Sequence, residues 1–308
     1  MGKCPFFGLC GGCKYDFTAQ NYHSEKQKLI EDLPITKEPF WTESGTRRRA
    51  DFAFADGDFG FYEKGSKKII SIDNCPLLMP EINGLLSKLA GLPWCGAGAC
   101  LVTLCDNGID VAVTSNTPYF STELKKAVLS LPVIRFTWNG KPVKQTETPV
   151  ISFDDRKVEY PAGAFLQPTM QSEKELRDMV VNAAKGYHKI ADLFCGLGNF
   201  TFVLNATGFD IFGTGIKRDL FKSPLTVGML QQYDCVVMDP PRAGALAQCK
   251  ELVKSNVKRI IYVSCSPDTF KRDMSILLRG GYELKELRPV DQFVGSSHWE
   301  LFSVFQKK

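Results

Sequence analysis

The pattern of hydrophobic and polar positions changes character part-way along the chain. Over residues 49–72, apolar and polar positions alternate around turn signals at residues 56–58 and 64–67, as in antiparallel strands joined by tight turns. Similar patterns predict a helix opened by Pro80 over residues 80–89, a hairpin over 100–114, a helix capped by Ser121 over 121–131, and strands over 133–159. This part of the chain is therefore predicted to be a mixed α+β domain.

After Gln167 the pattern becomes an alternation of helices and short apolar strands. Residues 170–185 have the spacing of an amphipathic helix. Further strands are predicted over residues 189–194, 233–238, 259–264, 282–290 and 299–305, and further helices over 245–255 and 268–278. This alternation is typical of an α/β domain in which helices cover both faces of a parallel sheet.

The composition is that of an ordinary globular protein. At 308 residues, with 44% hydrophobic and 23% charged residues, the chain has room for two domains of roughly 100–200 residues each. No stretch approaches the roughly 18 uninterrupted apolar residues of a membrane helix, and the N-terminus lacks the apolar core of a signal peptide. We therefore expect a cytoplasmic protein that does not bind membranes, and no obligate protein partner is evident.

Charge and cysteine content narrow the chemistry. The net charge of +4 permits an anionic partner, and residues 47–49 are three consecutive arginines with Lys64, Lys67 and Lys68 nearby. This basic cluster is either a phosphate-contacting patch or a set of solvated strand ends. Eleven cysteines in a chain without a secretion signal argue against a disulfide framework, so some thiols are expected to be functional.

Two motifs that follow predicted strands point to a cofactor site. In DLFCGLGNF, residues 192–200, the glycines let the backbone approach a ligand, and the helix that follows favours polar or anionic groups at its start. In DPPRAG, residues 239–244, two prolines fix a rigid loop that presents Asp239 at the same sheet edge. We expect a nucleotide-like cofactor there. A purely structural turn and a capping aspartate are the respective alternatives.

Cys265 and Glu300 are candidate catalytic residues. Cys265, in VSCSP, ends a predicted strand just before a helix, and a helix N-terminus lowers a thiol pKa. Glu300 follows Trp299, and a carboxylate beside an apolar ring can have a raised pKa and act as a base. The alternatives are a buried structural cysteine and a solvated glutamate on an edge strand.

A separate set of cysteines suggests a metal centre. Cys4, Cys10 and Cys13 lie close together, Cys75 lies far along the chain, and a proline follows both Cys4 and Cys75. Iron–sulfur ligand runs often contain such Cys-Pro pairs. A zinc site would more often show two C-x2-C pairs. An iron–sulfur cluster is therefore favoured over zinc and over a metal-free segment.

Together these features resemble the bacterial RNA uracil-C5 methyltransferases of the TrmA/RumA/RumB type, over nearly the whole chain. The motifs that carry the resemblance are the cysteine set, Phe165-Leu166-Gln167, DLFCGLGNF, DPPRAG, VSCSP and HWE. Because the sequence begins at the cysteine set, we expect the family's separate N-terminal RNA-binding barrel to be absent. In this it looks most like the short RumB-like branch, whose substrate is large-subunit ribosomal RNA.

The resemblance implies S-adenosylmethionine-dependent methylation of C5 of a uridine in RNA, more in keeping with 23S ribosomal RNA than with transfer RNA. It implies that Cys265 is the nucleophile and Glu300 the base. Positions matching contacts to S-adenosylmethionine or to the target base are Gln167, Phe194, Asn199 and Asp239, with Asp219 near the adenine. The cysteines that match a [4Fe-4S] cluster site are Cys4, Cys10, Cys13 and Cys75.

The resemblance also implies a domain arrangement. It comprises a cluster segment over residues 1–16 plus Cys75, a central RNA-binding domain over 17–160, and a class I, Rossmann-like methyltransferase domain over 161–308. That last domain looks shortened after its first helix. Residues 201–232 number only 32, about the length of one βαβ unit, and Gly215 stands where the family spacing would put an acid for the ribose. We therefore expect the second strand and its helix to be deleted, with Asp210 a poor substitute.

Two other functions stay open on the sequence. The shortening is compatible with a degenerate relative that binds RNA with weak or no catalysis. The DPPR run also resembles loops of enzymes that methylate exocyclic amino groups, a reaction that needs no thiol.

Overall fold

A computed structural model describes residues 4–308 of the chain. Its helices are α1 (Tyr22–Gln27), α2 (Pro80–Ala90), α3 (Thr122–Leu129), α4 (Met170–Ala183), α5 (Asn199–Leu204), α6 (Val227–Leu230), α7 (Leu246–Leu252) and α8 (Pro267–Arg279), with a 3-10 turn at Lys28–Ile30. No helix in the described part of the chain has the length and apolarity that crossing a membrane requires.

The strands fall into two large sheets and one small one. In chain order they are β1 (Phe40–Trp41), β2 (Arg49–Ala55), β3 (Asp58–Tyr62), β4 (Ile69–Ile70), β5 (Ala97–Cys105), β6 (Gly108–Ser115), β7 (Arg135–Trp138), β8 (Lys141–Gln145), β9 (Val150–Phe153), β10 (Arg156–Glu159), β11 (Ile190–Leu193), β12 (Thr207–Asp210), β13 (Ile216–Lys217), β14 (Cys235–Met238), β15 (Arg259–Ser264), β16 (Tyr282–Asp291) and β17 (Glu300–Lys307).

The chain forms two compact units. Unit 1 contains the described residues up to Glu25 together with Glu43–Met170 and Val294–Ser297. Unit 2 contains Lys26–Thr42, Gln171–Phe293 and His298–Lys308. Each unit is thus assembled from segments that are distant in sequence.

Unit 1 is built on a seven-stranded sheet in the order β4-β3-β2-β5-β6-β7-β8, beside the small β9-β10 hairpin. All neighbours in the large sheet are antiparallel except β6 and β7. Pro80 begins α2, and the Ser121 side chain caps α3 by accepting from the Leu124 N–H at 3.0 Å. The predicted mixed α+β character, the helix-opening proline and the serine cap are all confirmed.

Unit 2 is built on an eight-stranded sheet in the order β1-β16-β17-β15-β14-β11-β12-β13. The strands from β13 to β15 are parallel, and every residue of β11 and β14 is buried, as expected for a parallel sheet covered on both faces. The prediction is wrong in one respect, because β17 lies antiparallel between β15 and β16.

The expected deletion of the second strand is also wrong. β12 follows α5 and pairs in parallel with β11, so the second strand is present. Beyond it, only residues 211–215 join β12 to β13, without a helix. Parallel neighbours ordinarily need a crossover of about a dozen residues or more. The short connection is accommodated here because β13 pairs with β12 over only two residues.

Candidate active site and cysteine cavity

The candidate catalytic and cofactor residues of unit 2 meet at one edge of its sheet. Asp192 lies in β11, Asp210 ends β12, Asp239 directly follows β14, and Cys265 directly follows β15. These four strands are parallel, so their carboxyl ends share an edge. Ligands of open α/β sheets bind at this edge.

The glycine-rich turn after β11 is shaped by left-handed backbone conformations. Phe194 has φ 61°, Gly196 φ 51° and Gly198 φ 93°, and Gly198 leads directly into α5. The Gly196 N–H donates to Asp210 Oδ2 at 2.9 Å. Asp210 therefore ends the second strand beside the turn. From the sequence, Asp210 is expected to be only a poor substitute for the acid that binds the ribose. Asn199 begins α5, and its Oδ1 accepts from Arg177 at 3.2 Å.

Two carboxyl groups with raised pKa values, those of Asp192 and Asp239, belong to this sheet edge. Asp192 is fully buried, and its Oδ2 accepts from Thr201 Oγ1 at 2.5 Å. Its Oδ1 has no hydrogen-bond partner among residues 4–308. Burial raises the pKa of Asp192 to about 7, and burial together with the charge of Asp192 raises that of Asp239 to about 7. These pKa values leave both carboxyls part-protonated at neutral pH.

Glu300 lies close enough to Cys265 to change the pKa of its thiol. Burial, Glu300 and Asp239 raise the pKa of the Cys265 thiol to about 12, and Arg242 opposes this shift. Glu300 is 2% exposed, and burial and the charge of Asp239 raise its pKa well above the usual range. Its Oε2 accepts from Gln292 Nε2, while its Oε1 has no hydrogen-bond partner in the described part of the chain. The thiol therefore ionises less readily beside Glu300, and the carboxyl group of Glu300 keeps one oxygen available.

The rigid loop after Asp239 adds a basic group. Arg242 Nη2 lies 2.9 Å from His298 Nε2, and Arg242 is exposed to solvent whereas His298 is half-buried. Because an arginine cannot lose its proton, it donates and the histidine nitrogen accepts. The exposed guanidinium is available to an anionic substrate.

In unit 1, the four candidate metal ligands line one cavity of about 250 Å³, together with Arg47 and Asp51. All four thiols are free: Cys4, Cys10, Cys13 and Cys75. Burial raises the pKa of Cys13 to about 12, with further contributions from the other three thiols. No group of three or more His, Cys, Asp or Glu side chains within residues 4–308 is arranged to hold a single metal ion.

Arg47 is fixed in the wall of this cavity. Its N–H donates to Leu77 O at 3.0 Å, its carbonyl accepts from the Met79 N–H at 2.9 Å, and its Nε donates to Arg49 O at 3.0 Å. The guanidinium makes no salt bridge within residues 4–308. Burial lowers the pKa of Arg47, and the Cys75 and Cys13 thiols oppose this shift. A cavity of thiols with an unpaired cation in its wall favours an anionic occupant.

The other arginines of the predicted phosphate patch make internal contacts. Arg48 is 2% exposed, and its Nε donates to Gln167 O at 3.2 Å. Arg49 donates to Leu166 O at 3.3 Å, and its guanidinium lies 5.4 Å from the centre of the Phe165 ring. These arginines tie the start of β2 to residues 165–167, so the basic run serves the architecture of unit 1.

Comparisons with known proteins fit this geometry. The family model described as tRNA (Uracil-5-)-methyltransferase matches residues 217–308. An RNA methyltransferase of Agrobacterium fabrum is 33% identical, over 97% of this chain and 83% of its own length. The 23S rRNA (uracil(1939)-C(5))-methyltransferase of Histophilus somni is 27% identical, over 99% of this chain and 82% of its own length. The chain belongs to the RNA uracil-C5 methyltransferase family.

A solved structure agrees at the level of the fold. The Pyrococcus abyssi tRNA (uracil-54, C5)-methyltransferase, in complex with S-adenosyl-L-homocysteine, superposes with a TM-score of 0.73 at 22% identity, over 95% of this chain and 83% of that one. The alignment with the Agrobacterium relative spans 353 positions, at least 45 more than the 308 residues of this chain. This uracil-C5 methyltransferase thus has the α/β methyltransferase fold in a shorter chain.

The structure places the remaining predicted cofactor residues in different ways. Asp219 Oδ1 accepts from the Phe221 and Lys222 N–H groups at 3.1 and 3.2 Å, in a turn that holds Phe221 5.4 Å from Phe194, ring centre to ring centre. Gln167 is buried in unit 1, away in sequence from the carboxyl-edge residues of unit 2. The cofactor roles of these residues stay predictions for this methyltransferase.

Three features of the site were missed in the sequence analysis. Gln292 bonds the candidate base, Arg242 pairs with His298, and Lys26, 0% exposed, donates to Asp291 and to Phe293 O. None of these contacts has a sequence signature, because each joins side chains whose proximity depends on the folded sheet. The position of Asp210 was readable, since it is the first acid after the glycine-rich helix.

Proposed function

We propose that this methyltransferase modifies C5 of a uridine in RNA, with Cys265 as the nucleophile and Glu300 as the base. One observation carries the assignment. A buried carboxyl group with an unbonded oxygen acts on the charge of the thiol at the sheet edge where α/β folds bind ligands. An enzyme that methylates an exocyclic amino group has no use for this pair.

The two residues divide the chemistry between them. C5 of uracil is a poor carbon nucleophile, so Cys265 first loses its thiol proton to solvent, and the resulting thiolate bonds to C6 and turns C5 into an enolate-like carbon. S-adenosylmethionine supplies the methyl group that this carbon takes. Glu300 Oε1 then accepts the C5 proton, the C5–C6 double bond reforms, and the Cys265 thiolate leaves. The target uridine must be unpaired or flipped out of a helix to reach both groups.

Before the substrates bind, the surroundings of Cys265 disfavour its reactive thiolate form. Burial, together with the negative charge that Glu300 and Asp239 carry when ionised, disfavours a Cys265 thiolate. Arg242 is the charge in the described site that favours the thiolate. We propose that the positive charge of the bound donor shifts this balance towards the thiolate.

The donor site fits a ligand with a ribose and a positive charge. Asp192 Oδ1 is buried without a partner in residues 4–308, and Gly196 has open space where a Cβ would stand, which lets a ligand approach closely. Carboxyl groups around a sulfonium lower its energy. The proposed donor contacts are Gln167, Phe194, Asn199, Asp239 and Asp219, to which the structure adds Asp210 as a candidate for the ribose.

The cysteine cavity fits a [4Fe-4S] cluster held by Cys4, Cys10, Cys13 and Cys75. Four thiolates around such a cluster leave a negative net charge, which the unpaired Arg47 offsets. A four-iron cluster also spreads its ligands more widely than one ion does, in agreement with the absence of a single-ion site within residues 4–308. Equal amounts of iron and acid-labile sulfide in anaerobically purified protein would support the cluster. One zinc per chain would instead show that the cavity is a zinc site.

Ribosomal RNA is the proposed substrate, and residues 17–160 are proposed to help bind it. The support is the name of the Histophilus relative, at 27% identity, as a 23S rRNA enzyme. Methylation of ribosomal and transfer RNA from a strain lacking the protein, read as 5-methyluridine by mass spectrometry, distinguishes the two substrates.

Trapping the covalent adduct tests the reaction itself. With 5-fluorouridine in place of the target uridine, C5 carries no proton to remove, so the wild-type protein should stay bound to the RNA through Cys265. Cys265→Ala should give no adduct, and Glu300→Gln should accumulate adduct on unmodified RNA. Full methylation by Cys265→Ala would refute the mechanism. RNA binding without turnover would favour a degenerate relative, which the short 211–215 connection makes the second candidate.

A further inference from the structure

Gln292 makes the contact that orients the proposed base. It directly follows β16, is 1% exposed, and donates from Nε2 to Glu300 Oε2. Its Oε1 lies 3.3 Å from Ser172 Oγ on α4. Both ends of this amide are therefore bonded, while Glu300 Oε1 has no partner among residues 4–308.

The chemistry of these groups fixes which way round the amide lies. When Glu300 is ionised, as a base must be, its oxygens can only accept, so the NH2 end of Gln292 faces Oε2. The amide oxygen then faces Ser172, whose hydroxyl donates to it. With Oε2 occupied as an acceptor, a proton on Glu300 belongs on Oε1.

The backbone around Gln292 is held on both sides. Lys26 is fully buried and donates both to the Asp291 carboxylate and to Phe293 O, the latter at 3.0 Å. The residues before and after Gln292 are thus bonded to one ammonium group. Glu300 is fixed in turn by its pairing with Val290 in the sheet. Such a rigid support is what a precisely aimed catalytic group requires.

We infer that Gln292, supported by Ser172, is a positioning residue that holds Oε2 of Glu300 and so directs the C5 proton of the substrate to Oε1. The inference rests on the proposed function, in which Glu300 removes that proton. It separates two steps of the reaction. Methyl transfer precedes proton removal, so loss of Gln292 should slow release of the product and spare the transfer.

The test is a single-turnover reaction of Gln292→Met, which keeps side-chain length and loses the donor. Methyl transfer to RNA is followed with a labelled donor, and covalent protein–RNA adduct is followed on denaturing gels. Transfer should stay within about twofold of wild type, and adduct decay should slow about tenfold or more, as expected for loss of a hydrogen bond to a charged group. Ser172→Ala should give a smaller delay and serves if Gln292→Met does not fold.

Gln248→Met is the matched control. Gln248 is also a 1% exposed glutamine in unit 2, and it bonds both backbone groups of Leu225 from α7. Its replacement should lower stability without prolonging the adduct. If folded Gln292→Met and Ser172→Ala both release product at the wild-type rate, the inference is overturned. If Glu300→Gln accumulates no adduct, the assignment of the base itself fails, which is a distinguishable result.

Discussion

The thiol of Cys265 lies among acids, and those acids set its reactivity. Asp239 raises the pKa of Cys265 and that of Glu300, and burial is the largest cause in both. Removing the charge of Asp239 should therefore lower the thiol pKa. It should also increase the fraction of thiolate at a fixed alkaline pH, since each pKa unit corresponds to about a tenfold change in that fraction.

Alkylation of Cys265 in Asp239→Asn measures this effect. At pH 8–9, iodoacetamide should modify the Cys265 peptide about threefold to tenfold faster than in wild type, with the rate still rising with pH, because the thiolate is the reacting form. Peptide mass spectrometry separates Cys265 from the other ten cysteines. Asp219→Asn, whose carboxylate bonds its own turn, should leave the rate unchanged. An unchanged rate in Asp239→Asn would contradict the proposed electrostatics.

Site residues could be predicted from the sequence where a short motif fixes their position. They could not be predicted where their position depends on contacts between distant parts of the chain. Cys265 and Asp239 each end a strand within a recognisable run, so their position at the sheet edge follows from the local pattern. Gln292 and Lys26 carry no such pattern. They are 265 or more positions apart in the chain, and only the folded unit brings the ammonium to the carbonyl beside Gln292.

At the level of elements, the short connection between β12 and β13 was the difficult part. β12 has four residues, includes Gly208, and shows neither alternation nor a continuous apolar run, so no periodicity marks it as a strand. The connection closes by passing against the glycine-rich turn. Thr214 N–H donates to Gly196 O at 3.1 Å, and a Cβ on Gly213 would lie only 1.8 Å from that oxygen.

Gly213→Ala should accordingly damage both stability and donor binding. Gly213 has φ +86°, and Gly186, in the turn after α4, has φ +84° with no atom within 4 Å of a built Cβ. Gly186→Ala carries only the backbone strain of about 1–2 kcal/mol. Gly213→Ala adds the clash and should cost about 3–5 kcal/mol. Urea unfolding gives the two costs, and calorimetry with S-adenosylhomocysteine should show lost binding in Gly213→Ala alone. Equal effects would mean that the connection does not shape the pocket.

Across the whole molecule, the order of the elements was easier to predict than the path of the chain. The change from antiparallel to parallel strands near residue 170 was visible as a change in periodicity, because each strand type buries a different pattern of side chains. The crossing of Lys26–Thr42 and Val294–Ser297 into the opposite unit was not visible. Those segments follow contacts between distant parts of the chain, on which local pattern carries no information.

RNA binding is a property of the whole surface and can be tested through its salt dependence. Residues 47–49 make internal contacts, so the exposed part of the predicted patch consists of Lys64, Lys67 and Lys68. None of these lysines forms a salt bridge in the described part of the chain. Each phosphate contact to single-stranded RNA contributes about 0.7 to the slope of log K against log salt. Replacing all three with glutamine should therefore reduce that slope by about 2 in filter-binding titrations.

The matched control replaces three other lysines of unit 1, Lys125, Lys126 and Lys141, which are also exposed and free of salt bridges within residues 4–308. Both triple variants lower the net charge by the same amount, so a general electrostatic effect would change both slopes equally. A change confined to the first variant places phosphate on that part of unit 1, since released counterions report local contacts rather than total charge. Equal slopes in both variants and wild type would mean that the RNA binds another surface. The exposed Arg242, which lies near the catalytic pair, would then be the next residue to replace.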